Sequence, residues 1–151
     1  MKNKILIVDD EKLMRVSLED KLTKEGYAVN SLSNAVEGIK LLQSTNFDAV
    51  ITDLRLPRMD GIDFLREIKK ASPDTVVIIM TAYGSIENAV TAMKEGAYDY
   101  VTKPFPLEEL TIKLQKALKH KDTIAENIML KQRVLSQYGY DNMIGKSEGM
   151  K

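Results

Sequence analysis

An open, doubly wound α/β fold, with five parallel strands alternating with helices, is what this sequence predicts. Two observations carry the expectation. Short β-branched runs recur with helix-period stretches between them, which favours βαβ units over hairpins. Polar residues capable of chemistry also fall at the carboxyl ends of four of those runs: Asp9 and Asp10 after Ile5–Val8, Asp53 after Val50–Thr52, Thr81 after Val77–Met80, and Lys103 after Tyr100–Thr102. In a parallel sheet those ends converge on one crevice, so sequence distance becomes spatial proximity.

The strands are expected at 4–8, 27–32, 48–52, 76–80 and 98–101. Between them, Met14, Leu18 and Leu22 recur at i+4 spacing, as do Phe64 with Ile68 and Ala89 with Met93, giving each helix an apolar face. Gly26 and Gly96 suit helix ends, Asn34 with Glu37 resembles a capping box, and Ser85 suits the cap of the fourth helix. Pro106 suits the first turn of a fifth helix, where Glu108 and Glu109 complement the dipole.

After Pro106 no Gly or Pro occurs until Gly139. A heptad reading places Leu107, Leu114, Lys121, Ile128 and Leu135 at a, with Leu110, Ala117, Ile124 and Lys131 at d. Leu107, Leu110 and Leu114 are expected in the core. A helix of about 30 residues would run on the order of 45 Å, so its distal half is expected to project and to seek a partner helix. From Tyr138 to Lys151 the composition turns Gly-rich and polar.

The chain has 151 residues, enough for one domain and a short appendage. Its 22 basic and 22 acidic residues cancel, so no global field draws it to nucleic acid or an anionic membrane. The absence of cysteine excludes disulfides and thiolate chemistry, and the single His120 cannot build a metal cluster. No apolar run approaches the roughly 20 residues needed to span a bilayer, and the four-residue run after Lys4 is too short for a signal peptide. A cytoplasmic location is expected.

Three carboxylates in one crevice repel one another by about 4 kcal/mol per pair at 4 Å and an effective dielectric of 20, so they call for a cation. Magnesium suits an all-oxygen set that keeps waters and phosphate oxygens. A carboxylate can accept a phosphoryl group as an acyl phosphate, and Asp53, ending the middle strand, is the candidate. The metal, the Lys103 ammonium and the Thr81 hydroxyl would neutralise the equatorial oxygens. Taken singly each residue has a bland reading, as turn, cap or solvated charge; it is their joint placement at carboxyl ends that singles them out.

The motifs Ile-Leu-Ile-Val-Asp-Asp-Glu (5–11), Thr-Asp-Leu-Arg-Leu-Pro-Arg-Met-Asp-Gly (52–61), Met-Thr-Ala (80–82) and Lys-Pro-Phe (103–105) together resemble the receiver domain of bacterial two-component response regulators. The resemblance implies a flavodoxin-like (CheY-like) fold of strand order 2-1-3-4-5 over residues 1–120. It implies that Asp53 is the phosphoacceptor and that Asp9, Asp10, Asp53 and the Arg55 main-chain carbonyl hold Mg2+. It further implies that Thr81 is the switch hydroxyl, Lys103 the phosphate-binding lysine and Tyr100 the aromatic switch, with a cis Lys103–Pro104 bond. A sensor histidine kinase would be the donor. A homodimer would form through helix 4, strand 5, helix 5 and the linker helix.

A narrower resemblance, through 80–86, 92–100 and Ile144-Gly145-Lys146-Ser147-Glu148-Gly149-Met150, is to the NtrC class of sigma-54-dependent activators. It implies a helical, coiled-coil dimerisation linker at 121–138 and the start of an AAA+ ATPase domain at 139–151. ATPase and DNA-binding domains would belong to the full-length protein, so this chain is not expected to be an enzyme, to touch nucleic acid or to touch membrane. Two other readings are weighed. A phosphohydrolase of the haloacid-dehalogenase type wants an acid two residues after its nucleophile, where Arg55 stands, and a flavin phosphate would be repelled by Asp9-Asp10-Glu11. A dimerisation module with a vestigial acceptor fits poorly with a complete set of site residues.

Overall fold

In the computed structural model the five strands form one parallel sheet in the order β2-β1-β3-β4-β5. The structure describes residues 3–56, 59–82 and 86–120. The strands are β1 (Lys4–Val8), β2 (Ala28–Leu32), β3 (Ala49–Asp53), β4 (Val76–Ala82) and β5 (Asp99–Lys103). Between them lie α1 (Lys12–Lys24), α2 (Ala35–Ser44), α3 (Gly61–Ala71) and α4 (Ile86–Lys94), and residues 107–120 form α5. The chain divides into two compact units, Met1–Leu118 and Lys119–Lys151, and the fold described is that of the first. The Ser85 cap, the heptad positions from Lys121 onward and the 144–150 motif lie outside the described residues.

The two-residue period of the pleat sorts each strand's side chains onto two faces. Ile5, Ile7, Ala49, Ile51, Ile78, Met80 and Val101 join Leu18 and Leu22 of α1 and Leu110 and Leu114 of α5 in one buried cluster. Leu6, Val8, Val50, Val77 and Ile79 join residues of α2, α3 and α4 in the other. Strands buried on both faces explain the near-continuous apolar runs. β2, at the edge, has no fully buried residue and only its inner side paired.

The strands run slightly past their apolar runs. β3 includes Asp53, β4 continues through Thr81 and Ala82, and β5 continues through Thr102 and Lys103. The parallel ladder sets these ends: Thr81 pairs with Thr102 and Ala82 with Lys103, whatever the polarity of the side chain. Asp53, Thr81 and Lys103 are therefore rungs of their strands, whereas Asp9 and Asp10 follow the end of β1.

Gly26 and Gly96 end α1 and α4 with φ of +99° and +112°, a conformation that costs a side-chain-bearing residue and not glycine. Asn34 Oδ1 accepts from the Glu37 N–H at 2.9 Å, the Asn half of the expected box. Among the described side chains of α4, Ala89 and Ala92 are buried, while Met93 remains 40% exposed, at the edge of the stripe rather than within it. In α5, Leu110 and Leu114 are fully buried and Leu107 packs against them, as the spacing predicts. No helix of the described residues is long and apolar enough to cross a membrane.

Candidate functional site

Register brings the strand ends together. Val8 pairs with Thr52, so Asp9 and Asp53 lie one step further along adjacent strands. Asp53 pairs with Met80, the residue before Thr81. Pleat parity then divides the candidates. Asp9, Asp53 and Lys103 continue the rows that face α1 and α5, whereas Thr81 and Tyr100 continue the rows that face α2, α3 and α4.

The Lys103 ammonium is the centre of the first group. It donates to Asp53 Oδ2 at 2.7 Å, to Asp9 Oδ2 at 3.0 Å and to Glu11 Oε1 at 3.1 Å. Asp9 is fully buried and Asp53 is 9% exposed, so both carboxylates depend on these partners for charge compensation. Each keeps its other oxygen for the main chain: Asp9 Oδ1 accepts from the Glu11 N–H at 2.9 Å, and Asp53 Oδ1 accepts from the Arg55 N–H at 3.0 Å. Arg15 Nη1 donates to the Asp9 carbonyl at 2.7 Å, fixing the β1–α1 turn from the helix side.

The turn after Asp53 is held as firmly. The Leu54 N–H donates to the Met80 carbonyl at 3.1 Å, and the Gly61 N–H donates to the Leu54 carbonyl at 2.9 Å. A Cβ at Gly61 would lie 2.5 Å from Leu54 Cα, so only glycine lets the start of α3 approach the acceptor turn. Asp60 caps α3 by accepting from the Ile62 N–H at 3.1 Å.

Burial pushes the Asp9 carboxyl above its ordinary value; hydrogen bonds from the Glu11 main chain and Lys103 oppose the shift, and the Asp53 charge adds to it. For Lys103, burial acts to lower the ammonium's pKa, but the hydrogen bonds to Asp53, Asp9 and Glu11 outweigh it and raise the net value. The lysine is therefore a permanent cation amid acids that outnumber it.

Asp9, Asp10 and Asp53 each offer a carboxylate oxygen within 4.8 Å of the others. Each ligand oxygen of a magnesium-sized ion lies about 2.1 Å from it, so carboxylates this close could be drawn onto one ion by modest side-chain shifts. The donor set is all oxygen, which suits a hard divalent cation. Asp10 is exposed and faces a cleft of about 590 Å³ that is also lined by Arg55, Leu56, Asp60 and Asn88.

Thr81 is 3% exposed. Tyr100 is half-buried against the α2/α3/α4 cluster. Lys113 of α5 grips that tyrosine: Nζ donates to its carbonyl at 2.6 Å, lies 3.4 Å from Asp99 Oδ1 and stands 5.5 Å from the ring centroid. The Lys103–Pro104 bond is cis, as the resemblance implies. All the predicted residues thus fall at one end of the sheet, with Asp9 and Asp53 in direct contact with Lys103 and Asp10 beside the two carboxylates. Sequence reasoning missed Glu11 and Lys113. Glu11 reads as a helix start beside Asp10, and its partner Lys103 is 92 positions away. Lys113 carries no motif, and only the packing of α5 on β5 reveals it.

The profile of the response regulator receiver domain matches residues 5–115. The chain is 36% identical over 148 residues to the regulatory protein AtoC of Escherichia coli, covering 98% of this chain and 32% of that one. It is 34% identical over 154 residues to the DNA-binding transcriptional regulator NtrC of Proteus hauseri, covering 99% and 31%. A receiver domain protein from Clostridium thermocellum superposes with a TM-score of 0.76 at 39% identity, over 81% of this chain and 98% of that one. The chain spans about a third of the length of the first curated relatives it matches.

Proposed function

Because this chain belongs to the response regulator receiver domain family, we propose that Asp53 accepts a phosphoryl group from a sensor histidine kinase and that the domain acts as a phosphorylation switch. The single observation that carries the reading is the Lys103 ammonium bonded to both Asp53 and Asp9, with Asp10 beside them, where strands β1, β3 and β5 end.

In the transfer, Asp53 Oδ attacks phosphorus in line, the P–N bond to the kinase histidine breaks, and the imidazole leaves with the bonding pair. Lys103 supplies a fixed positive charge to the phosphoryl oxygens as they rearrange, already aimed at the acceptor at 2.7 Å. The Arg55 N–H holds the other acceptor oxygen and sets the carboxylate's orientation. Asp9, Asp10, Asp53 and the Arg55 carbonyl in the same turn would hold Mg2+, which supplies a divalent charge to the same phosphoryl oxygens. Thr81, one rung past Asp53 on β4, would offer its hydroxyl, and Tyr100 would follow it on the same face.

Because the chain matches a regulatory protein and a DNA-binding transcriptional regulator along nearly its whole length, the proposal extends to the longer protein. Residues 121–138 would be a dimerisation linker and 139–151 the opening of an AAA+ domain that controls sigma-54-dependent transcription. Exposed Val90 and Met93 on α4 and Ile112 on α5 support a homodimer through α4, β5 and α5.

Incubation with acetyl phosphate and Mg2+ followed by intact mass tests the acceptor. A gain of about 80 Da on the wild type and none on Asp53→Asn is expected; an equal gain on Asp53→Asn would refute the assignment.

A further inference from the structure

The Lys103 ammonium has three donor hydrogens, and carboxylates of Asp53, Asp9 and Glu11 already take them at 2.7, 3.0 and 3.1 Å. A phosphoryl oxygen that is to be held by Lys103 must displace one of the three. Their losses are unequal. Asp9 is fully buried and Asp53 nearly so, and an acceptor stripped of its donor there is not repaid by water. The Glu11 side chain is 63% exposed and its bond is the longest, so its carboxylate returns to solvent at little cost.

Glu11 has no competing structural task. It occupies the N-cap of α1, yet its side chain makes no capping hydrogen bond. Its backbone is held without that side chain: the N–H by Asp9 Oδ1 at 2.9 Å, the carbonyl by the Arg15 N–H at 3.1 Å.

Resting on the phosphoacceptor reading of Asp53, the geometry points to Glu11 as a positioning residue: it keeps the third Lys103 donor occupied until a phosphoryl oxygen arrives, then yields it. Glu11 thereby restrains transfer from small acyl phosphates. No covalent bond is made or broken at Glu11; one N–H···O contact passes from Oε1 to the phosphoryl oxygen. A weaker hold should make that exchange faster, whether or not the negative charge is kept.

The full chain, with Mg2+ and acetyl phosphate over a range of concentrations, is compared as wild type, Glu11→Gln, Glu11→Asp and Asp20→Asn. Asp20 lies on the same helix with an exposed side chain 3.1 Å from Lys24, so its variant controls for loss of one charge. Glu11→Asp keeps the charge but is one methylene too short to reach Lys103. Both Glu11 variants are expected to raise kcat about two- to fivefold, the range of an exposed ion pair. KM for the anionic donor should fall only in Glu11→Gln, and Asp20→Asn should match the wild type. Exchange of the Lys103 ammonium protons with water, read by nitrogen-15 NMR without any donor, should quicken in both Glu11 variants by a similar factor. Wild-type kcat in Glu11→Asp, or ammonium exchange equal in all four proteins, overturns the inference alone. Absence of phosphoryl uptake in every protein, wild type included, overturns the acceptor reading and this inference with it.

Discussion

Replacing Lys103 by Met keeps most of the side chain's apolar stem and removes the charge that three carboxylates share. At separations of 2.7 and 3.0 Å each contact with Asp53 or Asp9 is worth about 6 kcal/mol gross at an effective dielectric of 20. Desolvation of the ammonium offsets much of this, and the exposed Glu11 contact adds little. Removing one partner of a buried pair costs about 3–5 kcal/mol. The Lys103 side chain keeps 18% exposure, which puts the expected loss at about 2–4 kcal/mol at neutral pH, a large fraction of a typical domain's stability. The pH dependence fixes the cause. Burial already holds the Asp9 pKa above its usual 3.8, so the stabilising influence of its neutral form is fully present below 3.8 and is lost as pH rises through the raised folded value. Without the ammonium that folded value moves higher still, and the variant's deficit should open between about pH 4 and pH 7. Urea unfolding of wild type and Lys103→Met at pH 4 and pH 7 measures both quantities. A deficit equal at the two pH values would mean that stem packing, not charge, was lost, and a deficit below about 0.5 kcal/mol at pH 7 would mean that the buried acids do not need this partner.

Gly61→Ala would drive a Cβ to 2.5 Å from Leu54 Cα, about 1 Å inside ordinary carbon contact. Overpacking of that kind costs about 1–3 kcal/mol, or roughly 5–10 °C in Tm, and the displaced turn should slow acyl-phosphate uptake on the order of tenfold or more; an unchanged Tm by calorimetry would show that the turn yields freely. Mg2+ should stabilise the wild type by about 2.7 kcal/mol at a concentration of a hundred times its Kd, visible as a rising Tm on titration. Asp9→Asn removes an ionised group that burial disfavours, so it should melt higher than the wild type in chelator at pH 7 and lose the response to Mg2+. A lower Tm for that variant in chelator would show that the bond to Lys103 outweighs the burial of the charge.

The fold was legible because a parallel sheet buried on both faces leaves a coarse signal: Ile5–Val8 and Val76–Met80 are apolar at every position, and the helices between them carry a 3.6-residue stripe. Strand ends were read short at Thr81 and Thr102 because hydropathy stops at the first polar residue while ladder pairing does not. Met93 was read into the α4 stripe because spacing cannot tell the centre of a narrow face from its edge when small residues, Ala89 and Ala92, make the contact. At the site, Asp9, Asp53 and Lys103 were found by their position after apolar runs. Glu11 and Lys113 were not, because each acts across the fold on a partner that no local pattern announces.

Pleat parity links the charge site to the surface that would report it. Asp9, Asp53 and Lys103 stand in the rows facing α1 and α5, while Thr81 and Tyr100 stand in the rows facing α4. A phosphoryl group on Asp53, as proposed, would meet on one face a lysine whose three donors the acids share until one of them yields. Among the described residues, the Thr81 hydroxyl at the end of the neighbouring strand would be there for the phosphoryl group's remaining oxygens to recruit, and Thr81 belongs to the opposite face. Drawing that hydroxyl toward phosphorus would vacate space on the α4 side, where the half-buried Tyr100 ring lies on the next strand. Lys113 holds the Tyr100 carbonyl at 2.6 Å, so the backbone of β5 would stay fixed were the ring to turn. The movement would thus be confined to a side chain and to α4, whose buried side chains among those described are the small Ala89 and Ala92. On the proposed reading, a free-energy difference of a few kcal/mol would be enough to shift such an element, which is the scale a single phosphoryl group supplies.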